Sequence, residues 1–566
     1  MRILVLQLAR FGDIYQSWPT LRALHRKYPH AEVHVLVRSK FRAALDGLGH
    51  VTVHTLPTQE ILQPVLDSVD VEQAHERLKT FLLPLHAFSF DLIVNLSFSP
   101  VSSYLTDFLA HPQSEVRGYT RHSDGHLHIP DDTSAYFYAQ VGIERANRYH
   151  ISEIFGAVAG VDLSDSDYVA TSAAERTGTV VHLGASVAHK MYPADLWIKA
   201  LVQIAAQYEE PIYLVGGAEE TNLSQTVQQM VASAKIVNRV GQTSLRQTAD
   251  LIAHSRLLIG ADSAPIHMAA LAGTPVLNLS SSVVNFWETG PVGAGSRILF
   301  AKNIHELSPE TVATEALNML AMRGPTHPCI ICEGLRGPYR LFQFEAQQTF
   351  AWNLIQALYT DASYPAVESQ ADRLAFQRLN ELAELALQQL ERWTQSRDVA
   401  AQLLQQVDSL IPEVGRLSPA VEPVVQWFQT QRLRIPPGSP EEILAATQKA
   451  YRDLHIVSSV YYRAADLPLV LARATQLCQS TYTSLRDCDF HLAQDDFQSL
   501  LSTLHELARH STKVAGGEWS TLLQEIDAAM VRRDFVHIAD VLQWRLLPSF
   551  QAQLNETETF GQDVLS

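Results

Sequence analysis

The sequence predicts an α/β protein built from two Rossmann-like halves in series, followed by an all-helical region. Three observations predict it. From Met1 to about residue 320, short runs of branched apolar residues alternate with amphipathic stretches, the pattern of βα units around parallel sheets. The polar, aperiodic segment Asp162–Gly178 interrupts that alternation, which then starts afresh. Beyond about residue 360 the strand signals vanish and helical periodicity takes over. The boundaries expected from these shifts are 1–165 for the first lobe, 172–360 for the second and 361–566 for the helical domain.

In the first half the expected strands are Ile3–Leu8, Val33–Val37, Val51–Thr55 and Asp91–Leu96, each short and apolar enough to be buried on both faces. A helix with Trp18, Leu21, Leu24 and His25 on one side follows the first strand. In the second half the expected strands are Thr179–Leu183, Ile212–Val215, Ile236–Val240, Leu257–Ile259 and Val276–Leu279. Two such halves place a cleft between facing lobes. In the tail, Leu379, Leu382, Leu385 and Leu390 mark one apolar helix face, and Phe497, Leu500, Leu501, Leu504 and Leu507 another. Pro436-Pro437-Gly438 and Gly516-Gly517 break the bundle into several helices.

Composition narrows the function. A chain of 566 residues exceeds one core, and 46% hydrophobic with 18% charged residues is ordinary for a globular protein. A net charge of −17 argues against nucleic acid and anionic membranes as partners, although a local basic groove stays compatible with it. No apolar run approaches the roughly 20 residues of a transmembrane helix, which leaves at most peripheral membrane contact. The opening MRILVLQLARFGD reads as a buried strand rather than a signal peptide, and four cysteines are too sparse for a disulfide framework. The expected location is the cytoplasm.

Three strand-to-helix turns carry chemistry. The first is Leu8-Ala9-Arg10-Phe11-Gly12-Asp13-Ile14, where Gly12 permits close backbone approach and Asp13 stands at the start of a helix. Asp13 there is either a helix cap or a reactive carboxylate. The turn lacks the G-x-G-x-x-G of a dinucleotide site, which weighs against an oxidoreductase. The second runs from Val181 through Gly184-Ala185-Ser186 to Lys190, before a helix opened by Pro193. Small residues admit a phosphate to the backbone and Lys190 adds a charge, or the segment is a surface loop with a solvated lysine. The third, Gly260-Ala261-Asp262-Ser263-Ala264-Pro265-Ile266-His267 through Gly273, ends a strand and begins a short helix. Its free N–H groups at Ser263–Ile266 form an anion site, and Asp262 faces the cleft to accept sugar hydroxyls. His267 is either beside the bound anion or a buried structural histidine.

Together, and in this order, these turns resemble the family of ADP-heptose-dependent transferases, the lipopolysaccharide heptosyltransferases and their relatives. The resemblance spans roughly residues 1–350. It rests on M-R-I-L-V-L…G-D before a helix containing Pro19, on G-A-S…K-x-Y-P, on the turn Gly216–Glu220, and on G-A-D-S-A-P-I-H-M-A-A. It implies a GT-B fold and inverting, metal-independent transfer, with a nucleotide-diphosphate sugar as substrate, no cofactor, and ADP-heptose as the expected donor. By the resemblance, Asp13 of the Gly12-Asp13 turn is the base, Lys190 and Ser186 hold donor phosphate or sugar, and Asp262 contacts the donor sugar. Ser263 and Ala264, with His267 nearby, cradle the diphosphate. The adenosine is expected near Glu219–Thr221 and the Gly241–Ser244 turn. The acceptor is a hydroxyl of a surface glycan, a glycolipid such as lipopolysaccharide core, or a protein. Arg10, Lys40 and Arg42 are too few basic residues to choose among them.

Two features depart from a minimal member. His327-Pro328-Cys329-Ile330-Ile331-Cys332 reads as a reduced cysteine pair on a loop, since structural zinc takes four ligands. A minimal chain would also end after a helix such as Phe342–Tyr359 crossing back to the first lobe, so residues 361–566 have an added role in acceptor recognition, assembly or stability. Competing readings are a degenerate scaffold acting through that tail and a GT-B nucleotide-sugar epimerase, which needs a second acid/base.

Overall fold

The computed structural model describes residues 1–168, 175–185, 187–334, 339–342, 349–360, 362, 364–367, 369–393, 397–462 and 467–486, with shorter pieces between 496 and 551. The chain divides into two compact units, Met1–Gln348 and Thr349–Ser566.

In the first unit, β1 (Arg2–Leu6), α1 (Phe11–Lys27), β2 (Glu32–Arg38), β3 (Val51–Leu56), α2 (Thr58–Ser68), α3 (Val71–His86), β4 (Leu92–Asn95), α4 (Pro100–Leu109) and β5 (Glu115–Arg117) build the first lobe. Its sheet is parallel in the order β3-β2-β1-β4-β5, with Leu6 beside Leu36 on one side and Asn95 on the other. Both faces are covered by helices, so the central strands are apolar throughout: Ile3 to Leu6 are fully buried. A hairpin of β6 (Thr120–Arg121) and β7 (Leu127–His128), then α5 (Asp132–Gln140), α6 (Ile151–Val158) and α7 (Asp165–Tyr168) complete it. The expected linker therefore begins as a packed helical turn. Arg22 of α1 donates to the Asp167 and Tyr168 carbonyls, both at 2.9 Å, and Arg26 donates to Asp167 Oδ2 at 2.7 Å.

The second lobe comprises β8 (Thr179–His182), α8 (Ala194–Gln207), β9 (Ile212–Val215), α9 (Thr221–Val231), β10 (Ile236–Asn238), α10 (Leu245–Ala253), β11 (Leu257–Ala261), α11 (Ala264–Ala272), β12 (Val276–Ser281), α12 (Phe286–Thr289), β13 (Arg297–Ala301), α13 (Pro309–Leu320), β14 (Cys329–Cys332) and β15 (Tyr339–Phe342). The order is β10-β9-β8-β11-β12-β13-β14-β15, parallel until β14 and β15 pair antiparallel at the edge. Each sheet reverses strand order once, at β1/β4 and at β8/β11. Crevices at the carboxyl ends of such switch points are where open α/β sheets bind ligands.

Every strand expected from the sequence is present, but β5, the β6–β7 hairpin, β13, β14 and β15 were not expected. Glu115–Arg117 has one apolar residue, and Arg297 opens β13 with a charge made tolerable by its buried pairing with Glu315 at 2.7 Å and a hydrogen bond to the Arg323 carbonyl. The cysteines correct an expectation: they are the two ends of β14, not a loop. Residues i and i+3 of a strand leave opposite faces, and Cys329 lies in the core while Cys332 Sγ faces the Gly334 carbonyl at 3.0 Å. His327 turns instead to Glu315 Oε1 at 3.1 Å. Among the described residues no group of three or more His, Cys, Asp or Glu side chains converges as metal ligands.

The second unit contains α14 (Thr349–Tyr359), α15 (Gln370–Glu391), α16 (Arg397–Leu417), α17 (Glu422–Leu433), α18 (Pro440–Tyr462), α19 (Leu467–Arg486) and α20 (Phe535–Val541). One core gathers Leu354, Phe376, Leu379, Leu382, Phe428 and Tyr451. Leu354 thus places α14 within the helical unit, and Phe342 ends a strand, which corrects the single helix expected over Phe342–Tyr359. Leu385 is 41% exposed, and Ala386 takes its expected place on the buried face of α15. The break at Pro436-Pro437-Gly438 separates α17 from α18. A second core includes Cys478, Phe497, Leu500 and Leu542. Leu501, Leu504, Leu507 and Gly516-Gly517 lie outside the described residues. No described helix is long and apolar enough to cross a membrane.

Candidate active site

The site forms at the two switch-point crevices. In the second lobe β11 delivers the chain to Asp262, and Ser263, extended at φ −161°, caps α11 by position only. Its hydroxyl turns away from the helix, towards His182 Nδ1 at 3.1 Å and the Ala261 carbonyl at 3.0 Å. The first-turn N–H groups beginning at Ala264 consequently have no side-chain cap, and an uncapped helix start favours an anion. Gly273 ends α11 at φ +65°, the left-handed position that suits glycine.

From the neighbouring strand β8 the chain turns through Gly184 and Ala185 to a one-turn helix at Ala188–Lys190. Lys190 Nζ donates to Asp262 Oδ2 at 2.7 Å, joining two motifs that the sequence had treated separately. Asp262 is only 8% exposed, and its other oxygen, Oδ1, is buried without a hydrogen-bond partner. A buried carboxylate oxygen with no protein donor can accept a hydrogen bond from a ligand. Ser186 lies outside the described residues.

The turn at Gly216–Glu220 and the turn at Gly241 meet: Gly241 N–H donates to the Gly216 carbonyl at 3.0 Å. Glu220 folds back so that a Cβ at Gly184 or Gly216 would collide with its carboxylate. Its Oε2 is likewise buried and unpartnered, and burial first, then Glu219, raises its pKa.

Facing this lobe is the start of α1. Asp13 Oδ2 accepts the Arg10 N–H at 3.0 Å, so the side chain does cap the helix. Burial first, and Asp262 across the cleft as well, raise its pKa above the ordinary 3.8, partly offset by the Arg10 N–H. Asp13 therefore combines a hydrogen bond to the start of α1 with a buried carboxyl group of raised pKa. Gly12 brings the turn against the imidazole of His267, where a Cβ would lie 3.2 Å from Cδ2 and 3.5 Å from Nε2. His267 is buried, and desolvation pulls its pKa down to about 4, so it is neutral. Gly12→Ala should leave the melting temperature nearly unchanged, since alanine favours a helix. Because either the His267 ring or the turn bearing Asp13 must give by a few tenths of an ångström, turnover should fall about tenfold, given that a 1 Å misplacement can cost about a hundredfold. Steady-state kinetics beside a thermal melt checks both.

Sequence reasoning missed the contact between Gly142–His150 of the first lobe and Asn285–Gly290 of the second. Ser152 N–H donates to His150 Nδ1 at 3.2 Å, so the proton is on Nε2, which donates to the Gly290 carbonyl at 3.0 Å. Burial, with His267 nearby, takes the His150 pKa down to about 3. Glu288 Oε1 accepts Gly142 N–H and Asn147 Nδ2, each at 3.1 Å, and Asn285 Nδ2 donates to the Asn147 carbonyl at 2.9 Å. Burial raises Glu288 to about 7 against an ordinary 4.5. Between those values the folded chain holds a proton that the unfolded chain has released, so stability falls as pH rises through the window. The loss should be of the order of 3 kcal/mol between pH 4.5 and 8, and Glu288→Gln should abolish that part of the dependence in urea titrations.

Residues 84–317 match the model of glycosyltransferase family 9 (heptosyltransferase). This chain carries a glycosyltransferase family 9 domain. The family is one of sugar-transferring enzymes, and the two Rossmann-like lobes are the GT-B fold. Lys190, Asp262, Ser263, Ala264 and His267 lie inside the matched family 9 residues, whereas Gly12 and Asp13 precede them. Among solved structures, the chain is similar to E. coli heptosyltransferase WaaC with ADP, at 16% identity and a TM-score of 0.44 over 56% of this chain and 100% of that one. It is also similar to the family 9 glycosyl transferase of Veillonella parvula DSM 2008, at 17% identity and TM-score 0.45 over 57% and 97% of the two chains. For E. coli ADP-heptose lps heptosyltransferase II the values are 18%, 0.41, 57% and 99%. No protein of curated function matches the chain in sequence.

Proposed function

We propose that the family 9 domain transfers heptose from ADP-heptose, with inversion and without a metal ion, to a hydroxyl of a surface glycan, lipopolysaccharide core or protein. The observation that carries this reading is the Lys190–Asp262 pair at the uncapped start of α11, opposite Asp13. The diphosphate lies at the N–H groups of Ser263 and Ala264, with Lys190 as counter-charge and His267 alongside as a neutral donor. Asp262 Oδ1 accepts a sugar hydroxyl. The Asp13 carboxylate takes the acceptor hydroxyl's proton as that oxygen bonds to the anomeric carbon. The bond from that carbon to the phosphate oxygen breaks, and ADP leaves with the electron pair. Its developing charge is met by Lys190 and the α11 dipole, which is how fixed donors stabilise a leaving group. The enzyme works in the cytoplasm with no cofactor, and any membrane contact is peripheral.

Calorimetric titration with ADP, GDP, UDP and ADP-heptose tests the donor. Binding of ADP and ADP-heptose in preference to the others is expected, and binding of none of the four would remove the assignment.

A further inference from the structure

The carboxyl edge of the first sheet carries an aromatic surface that no step above uses. It begins at the β1/β4 switch point, where Ser97 Oγ accepts Leu8 N–H from the turn that leads to Asp13. The next residue, Phe98, holds φ +45°, a conformation rare for a bulky side chain and commonest at functional sites. Its ring packs 3.7 Å from Phe137 and 4.2 Å, edge-on, from the buried Tyr119. Tyr119 in turn meets Tyr138 edge-on at 5.8 Å, and Tyr138 is 41% exposed. Two residues beyond Tyr119, Arg121 lays its guanidinium over the ring of Tyr104 at 4.1 Å, leaving Tyr104 54% exposed. Of the two exposed tyrosines, Tyr138 is thus backed by the buried Tyr119 ring and Tyr104 by the Arg121 cation.

We propose that this shelf binds the acceptor, and that the acceptor is a neutral carbohydrate chain. The inference rests on Asp13 of the first lobe taking the acceptor's proton, as proposed above. A sugar ring has a face of weakly positive C–H groups that packs against the negative face of an aromatic ring, while its hydroxyls reach the phenol oxygens. An anionic ligand would want cations, and the cations here are engaged. Arg121 donates to Ser103 Oγ at 2.9 Å and the Gly125 carbonyl at 3.2 Å, and it lies in the field of Asp107. Arg117 is held by Glu115 and the Ala159 carbonyl. Continuity through Ser97 to the Asp13 turn lets one ring of the chain present its hydroxyl to Asp13 while another stacks on Tyr104 or Tyr138.

The test is saturation-transfer NMR of the full chain with maltotriose, cellotriose and chitotriose, and with glucose 6-phosphate as the charged counterpart. ADP affinity is measured in the same samples. At least one neutral trisaccharide should bind the wild type. The Tyr104→Ala/Tyr138→Ala variant should weaken it by about tenfold or more, as loss of a stacked ring does. Tyr104→Phe should retain it, and ADP affinity should stay within twofold throughout. An ADP-binding wild type that takes up glucose 6-phosphate but no neutral trisaccharide would overturn the proposal, as would undiminished binding by the double alanine variant. Failure of ADP to bind, with tyrosine-dependent trisaccharide binding intact, would instead count against the donor site.

Discussion

Asp13→Asn should lower turnover by about 10²–10⁴-fold, the usual contribution of a general base, while ADP affinity stays within twofold. The asparagine oxygen can still accept the Arg10 N–H that Asp13 accepts at 3.0 Å, so the start of α1 keeps its cap. Stability should therefore change little, within about 0.5 kcal/mol, the range typical of substitutions that break no such feature. The amide cannot take a proton, so the substitution removes the role proposed for Asp13. The wild-type pH profile gives an independent check. Burial and Asp262 raise the Asp13 pKa above 3.8, so activity should rise with pH through that shifted value and then level. The residual activity of Asp13→Asn should lack this limb. A variant equally impaired at all pH values but with weakened ADP binding would mean that Asp13 only shapes the turn.

Lys190→Ala should weaken ADP binding by about ten- to hundredfold, the worth of one or two hydrogen bonds to a charged group. The pairing of Lys190 with Asp262 adds a sharper expectation. Lys190 donates to Asp262 Oδ2, so Asp262 competes with an incoming phosphate for the same ammonium. Asp262→Asn should then leave ADP affinity unchanged or improved, yet weaken ADP-heptose relative to ADP, because a neutral amide oxygen is a weaker acceptor for the sugar hydroxyl than a carboxylate. Lys190→Ala also leaves a carboxylate that is only 8% exposed without its ion partner. Breaking a fully buried pair costs about 3–5 kcal/mol; with Lys190 itself 20% exposed the cost here should be smaller, and chemical denaturation measures it.

Much of this site is legible in sequence because glycine and proline punctuate it. Pro265 and Gly273 bound α11 at the ends expected of them, and Gly12 fixes where Asp13 must stand. The pairing of Lys190 with Asp262 is not legible, since the residues are 72 apart and either motif can be read alone. The lobe contact through His150 and Glu288 is less legible still. Its partners are about 140 residues apart, in irregular segments, and acquire meaning only when the lobes meet. The same holds for β13 to β15. Arg297 reads as a surface charge until Glu315 is seen buried beneath it. Local pattern reveals turns and strands buried on both faces; polar residues satisfied at long range stay hidden.

Following the products of ADP-heptose turnover by proton NMR, with water as the acceptor, tests the central claim most directly. The account predicts that the first heptose released has the anomeric configuration opposite to the donor's, at a rate that Asp13→Asn reduces at least about a hundredfold. Release of the retained anomer, or turnover indifferent to Asp13→Asn, would contradict it.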